Sequence, residues 1–238
     1  MRSGTNIAQT GGCNIQPCSE VKEGPWWVVG GQTATVESLA GGEGGRLCGQ
    51  ELEPLPRALT SPAVGYVGGQ VVVCGGSDGS ITYRDCYTSQ LARPELGWQG
   101  ASPLPVNTSH AATAVQGEKM FVFGGERQPQ CEARPELQIL TTRGGLSWSI
   151  SAATDPPRPL GSHNCALTIG SLILVIGGWT DSRCEGREDR LENYLDQVYI
   201  LDTTTATWTE GPRLNTRRRD QGCTVVSVRG RLVSLTEQ

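Results

Sequence analysis

The sequence predicts an all-β fold built from a repeated four-stranded sheet, and three observations carry that expectation. An apolar run closed by two glycines recurs four times: WWVVGG ending at Gly31, VVVCGG at Gly76, MFVFGG at Gly125 and LVIGG at Gly178. The first glycines of the pairs, Gly30, Gly75, Gly124 and Gly177, stand 45, 49 and 53 residues apart, a period in the range of repeat architectures. Glycine (32 of 238 residues) and proline (14) fall between short β-branched runs, as in a chain of strands and turns.

Each unit supplies its elements in the same order. A first strand ends in a turn: AVGYVGGQ, AATAVQGEK, CALTIGSL and CTVVSVRGR. The apolar run with its two glycines follows as the second strand, glycine allowing a positive φ and close backbone approach while Val, Ile and Phe suit buried, pleated positions. A variable polar loop leads to the third strand, TVESL, DCYTSQL, LQILTT or QVYILD. The fourth carries a tryptophan, Trp98, Trp148 or Trp208, before a loop containing proline. A lone four-stranded sheet cannot bury both faces; stacking such sheets radially solves this, and the result is a β-propeller.

On the apolar Gly-Gly pair, the third strands with Tyr87 and Tyr199 and the tryptophan strand, residues 25–238 resemble the kelch family. The resemblance implies that the first strand of each unit lies nearest the axis, that the glycine pair ends the second and that tryptophan lies on the outer fourth. The expected division is a tail of uncertain order at 1–24, units at about 25–60, 61–106, 107–160 and 161–218, and part of a fifth at 219–238. Cys48 stands where the first unit should show tryptophan, and Leu235 and Thr236 replace the fifth glycine pair. Kelch propellers commonly close with six blades, so four units and part of a fifth are expected to form an incomplete ring with an exposed blade face and a tendency to self-associate. Helix is expected only in short loop pieces, near 188–195.

Other features narrow the function. The formal net charge of −4 argues against a duplex nucleic-acid binder. The longest apolar stretch, 171–177, is far shorter than the roughly 20 residues of a membrane-spanning helix, and the first twenty residues lack the apolar core of a secretory signal. Neither a nucleophile motif nor a phosphate-cradling loop nor HExxH occurs, and the glycine-rich stretch 41–45 reads as a loop. Asp181, Glu185, Glu188 and Asp189, interspersed with Arg183, Arg187 and Arg190, read as a solvated loop. No catalytic residue, cofactor or metal ligand is therefore assigned.

Cys165 and Cys223 occupy a slot that holds Ala63 and Ala112 in other units, and are expected as buried thiols. Cys74 and Cys86 flank one hairpin, where core packing and a disulfide both remain open. Cys131 and Cys184 fall in loops and Cys13 and Cys18 in the tail; with the sequon Asn107-Thr108-Ser109 they leave cytosolic and extracellular compartments equally open. His110 and His163 each follow a serine and precede a first glycine by 14 residues, so they are one repeat position seen twice. That position suits a structural role at the entrance to the inner strand, and two imidazoles one blade apart are expected to lack the convergence of a metal centre. A galactose-oxidase-like copper-radical enzyme shares the blade pattern but needs clustered Tyr and His ligands that are not evident.

Recognition remains. All cations but Lys22 and Lys119 are arginine, the residue suited to bidentate pairing with carboxylates and to stacking on aromatic rings. In the kelch resemblance the loops after the second strand and those leading into the next blade share one face. Here they are long and charged, at 77–83, 126–134, 179–193 and 212–220. The candidate partner-binding residues are Arg217, Arg218, Arg219, Trp179, Arg127 and Arg57, and the expected partner is a protein or acidic peptide. An extracellular adhesion domain is the alternative within the same class.

Overall fold

The computed structural model describes residues 7–8, 26–29, 34, 36–41, 47–90, 92–127, 132–133, 136–151, 156, 160–180, 193–228 and 231–236. Strands dominate, and among these residues the only named helical element is a 3-10 turn at Pro94–Leu96. The expected helix near 188–195 lies mostly outside the described residues.

Four sheets of four strands and a two-stranded fifth follow one another along the chain. The first contains β1 (Ile7–Ala8), β2 (Trp26–Val29), β3 (Val36–Gly41) and β4 (Leu47–Leu52). Within the stretch expected as a tail, β1 pairs in parallel with β2, whereas the other strand pairs among the described residues are antiparallel. The second holds β5 (Ala63–Val67), β6 (Gln70–Cys74), β7 (Cys86–Gln90) and β8 (Gln99–Ala101). The third has β9 (Ala112–Gln116) and β10 (Lys119–Phe123), then, after a small ribbon of β11 (Glu126–Arg127) and β12 (Glu132–Ala133), β13 (Leu137–Thr141) and β14 (Ser147–Ile150). The fourth is β15 (Cys165–Ile169), β16 (Leu172–Ile176), β17 (Val198–Asp202) and β18 (Thr207–Glu210); the fifth is β19 (Cys223–Val228) with β20 (Arg231–Thr236). Three of the four-stranded sheets are wholly antiparallel and follow sequence order from inner to outer strand.

Side-chain alternation explains why the second strands read as unbroken apolar runs. Met120 and Val122 of β10 join the seam with the second sheet, beside Val72 and Cys74. Phe121 and Phe123 point the other way and join Ile173 and Val175 of β16. Val71 and Val73 of β6 pack toward the first sheet with Val36 and Leu59. The other face of β16 contributes Ile176 to a seam that reaches Cys223 of the fifth sheet. The tryptophan on each fourth strand, or just ahead of it in the case of Trp98, covers the seam with the preceding blade: Trp98 joins Leu55 and Leu59, Trp148 joins Met120 and Leu140, and Trp208 meets Phe123 edge-on at 5.9 Å. Trp98 also donates its indole N–H to the Glu53 carbonyl at 2.8 Å.

The glycine pairs join blades. The first glycine donates to the third strand's lead-in within its own blade: Gly75 to Asp85, Gly124 to Glu136, Gly177 to Gln197. The second donates across the seam, Gly76 to Thr108, Gly125 to Gly161 and Gly178 to Arg218, each at 2.9 Å. All six have positive φ. Where the fifth pair would stand, β20 runs on through Leu235 and Thr236.

The cysteines depart from expectation. Cys165 and Cys223, expected as separate buried thiols, form a disulfide between the inner strands of neighbouring sheets, their Cα atoms 6.0 Å apart. The reason is geometric: one repeat slot, carried on inner strands that converge, brings consecutive copies face to face. Cys74 and Cys86, opposite one another in the β6–β7 register, are also bonded. Non-reducing peptide mapping is expected to recover both links; alkylation of all four thiols without prior reduction would contradict the pairing. The sequon is structurally engaged: Asn107 donates to the Thr82 carbonyl at 3.1 Å and the buried Thr108 hydroxyl to Gly124 at 2.8 Å.

Candidate functional site at the axial mouth

Each inner strand after the first sheet is preceded by a residue in the left-handed region: Ser61 (φ 48°), His110 (55°), His163 (57°) and Asp220 (54°). These four residues are linked by a backbone ladder from blade to blade. The amide of His110 donates to Ser61 (3.1 Å), that of His163 to His110 (2.9 Å) and that of Asp220 to His163 (3.0 Å). A left-handed residue there turns the chain sharply into the inner strand and presents its side chain at the convergence of the blades.

The residues just after the glycine pairs form a second tier. Ser77, Glu126 and Trp179 bridge Thr60, Ser109 and Ser162 respectively, and all three are buried. The two tiers place a compact row at the mouth. The His110 ring stacks on His163 at 4.2 Å between centroids. Nδ1 of His110 lies 3.0 Å from Oε1 of the buried Glu126, and the far face of the row is closed by Trp179, edge-on to His163 at 5.8 Å. Nδ1 of His163 is 2.7 Å from the Ser162 hydroxyl, while its Nε2 is 3.9 Å from Oδ1 of Asp220.

This corrects the expectation that imidazoles one blade apart fail to converge: on inner strands, one blade apart means in contact. Glu126 was not singled out from the sequence. The available signal was the shared phase of the two histidines, which marks the slot nearest the axis.

The sequence-derived binding residues separate into distinct settings. Arg219 lies over the rings of Trp179 (5.6 Å) and Tyr194 (5.2 Å), and its Nε is 3.4 Å from Asp220, so it joins the histidine row to the loop face. Arg218 is tied in through its backbone, bridging Leu195 and accepting from Gly178, and its side chain turns toward the Thr216 carbonyl. Arg217 is exposed. Arg127 follows Glu126 on β11, paired with Glu132 of β12. Arg57 repeats the Arg219 arrangement on the second blade: its guanidinium lies 3.9 Å over Tyr83 and pairs with Asp85 at 3.2 Å. Asp78 holds that tyrosine from the other side, accepting its hydroxyl at 2.6 Å. With the backbone amides of Ile81 and Ser80 adding to the tyrosine bond, the Asp78 carboxyl is lowered to about 2, and the same bond raises the Tyr83 phenol. Cys131, Cys184 and the charged run 181–190 lie outside the described residues.

Radially packed four-stranded sheets, with loops gathered over convergent inner strands, define a β-propeller that presents a polar and aromatic mouth. The chain belongs to the kelch-repeat family: residues 48–234 match the model of the KLHDC2/KLHL20/DRC7 Kelch-repeats domain. Among relatives, the Rab9 effector protein with kelch motifs of Xenopus laevis is 30% identical over 145 residues, 60% of this chain and 37% of that protein. The Rho GTPase-activating protein gacHH of Dictyostelium discoideum is 30% identical over 149 residues, 59% of this chain and 9% of its own length. Human Kelch domain-containing protein 3 is 28% identical over 104 residues, 43% of this chain and 26% of that one. The matched region thus spans less than two fifths of each of these relatives. Kelch relatives of this kind point to a protein-interaction domain.

Proposed function

We propose that this chain is a non-catalytic interaction scaffold that docks an acidic segment of a protein partner on the face formed by the loops after the second strands and those entering the inner strands. The observation that carries the reading is the placement of Arg219 over Trp179 and Tyr194 at the mouth. A guanidinium stacked on aromatic rings is pre-oriented and less hydrated than an ammonium, so it recognises a carboxylate at reduced entropic cost. Arg57 over Tyr83 supplies a second site of the same kind, and Arg217 lies exposed beside the first. Arg127 extends the surface along β11. Two relatives are named for small GTPases, as an effector of Rab9 and as a Rho GTPase-activating protein, which supports a protein as the partner.

The test is the combined variant Arg217→Ala, Arg218→Ala and Arg219→Ala, titrated by calorimetry against a partner captured with the parent chain. Affinity is expected to fall at least about tenfold, near 1.4 kcal/mol, with only a small loss of thermal stability: the Arg218 contacts to Leu195 and Gly178 are made by backbone and survive, while the partly exposed Arg219 gives up its ring contacts and its Asp220 pair. Equal affinity for parent and variant would reduce the arginines to a surface turn.

A further inference from the structure

We propose that His110, Glu126 and His163 form a zinc-binding site at the axial mouth. One ligand atom from each residue lies within 4.8 Å of the other two. Four-coordinate zinc with bonds of about 2.0–2.1 Å sets its ligand atoms roughly 3.3 Å apart. His110 Nδ1 and Glu126 Oε1, at 3.0 Å, are already near that spacing. The His163 ligand atom lies within 4.8 Å of both, and its ring, stacked on His110 at 4.2 Å, must turn out of the stack to reach that spacing.

Three further features favour an ion here. Both histidines are held by left-handed backbone and by the ladder through His110 and Asp220, so the row is built before any ion arrives. The Ser162 hydroxyl beside Nδ1 of His163 leaves Nε2 as the coordinating nitrogen, the arrangement by which outer groups set a ligand's tautomer. His110 coordinates through Nδ1 as the tautomer that carries its ring hydrogen on Nε2. Two imidazoles and one carboxylate suit zinc; a site for magnesium or calcium would be built from oxygens. The three protein ligands leave one coordination position, and Asp220, next to His163 Nε2 at 3.9 Å, is placed to fill it.

The proposal shares Asp220 with the Arg219 pair but does not rest on partner docking, and is tested apart from it. The chain, freed of metal by chelator and dialysis, is titrated with zinc chloride and, in parallel, with cobalt(II). The expected result is one equivalent of zinc, a cobalt spectrum with tetrahedral d–d bands and no sulfur-to-cobalt charge transfer, and a rise in Tm on zinc addition. His163→Gln and Glu126→Gln should each weaken zinc binding at least tenfold and abolish the Tm rise. Because Glu126 is buried, its variant carries a risk of misfolding; His163→Gln, checked by circular dichroism, is the decisive arm. Unchanged zinc affinity in folded His163→Gln, a thiolate-type cobalt spectrum, or no stoichiometric uptake by the parent would overturn the assignment.

Discussion

Replacing Gly125 by alanine is expected to destabilise the protein by more than about 3 kcal/mol. Its φ of 91° lies where an L side chain is strained. A Cβ there would also strike the Thr108 hydroxyl, approach the Ser109 carbonyl to 2.6 Å and reach the Ala111 Cβ at 3.0 Å. Thr108 and Ser109 are both buried, and Gly125 itself donates to Gly161 of the next blade's lead-in. Gly117→Ala is the control: its φ is also positive at 58°, but nothing lies within 4 Å of the added carbon, so only backbone strain of about 1–2 kcal/mol is expected. Urea denaturation of the two variants measures the difference. Equal losses would mean that the close approach at Gly125 is unimportant.

The second large effect is expected at Phe123→Ala, with a loss of about 3–5 kcal/mol. Phe123 is fully buried, packs with Ile173, Val175 and Leu201 of the following blade, and meets Trp208 edge-on. Truncation opens a cavity between two sheets whose backbones are held by their own ladders, so the seam can close only partly. The denaturation midpoint should fall while the denaturant slope stays constant. A loss under about 1 kcal/mol would show that the blades slide together to fill the space.

The blades were legible because their elements are local. MFVF, with β-branched and aromatic residues on both faces, announces a strand buried on two sides, and the glycines after it announce a backbone turn. Trp148 and Trp208 sit on outer strands as the repeat predicted. What escaped depends on which repeat slots meet in space. Cys165 and Cys223 are 58 residues apart in sequence and look like two independent alanine substitutes until the inner strands are known to converge. His110 and His163 were recognised as one position, but a linear phase does not say that it lies at the centre of rotation. Glu126 reads as the first residue of a loop; its burial comes from the bridge to Ser109, which periodicity does not reveal. Among the arginines, composition singled out three consecutive residues alike, whereas the fold turns Arg218 back on its own loop and sets Arg219 over two rings.

The division of each second strand between two seams has a consequence during synthesis. A blade completes its hydrogen-bonded sheet from about fifty consecutive residues, so it can form soon after that stretch leaves the ribosome and dock on the blade made before it. Its newest wall then stays greasy until its successor is translated: Phe121 and Phe123 wait for Ile173 and Val175, and Ile176 waits for the hairpin that brings Cys223. The nascent propeller therefore carries one sticky front that advances blade by blade, and the interval between successive blades is when a chaperone, or a neighbouring nascent chain, finds something to hold.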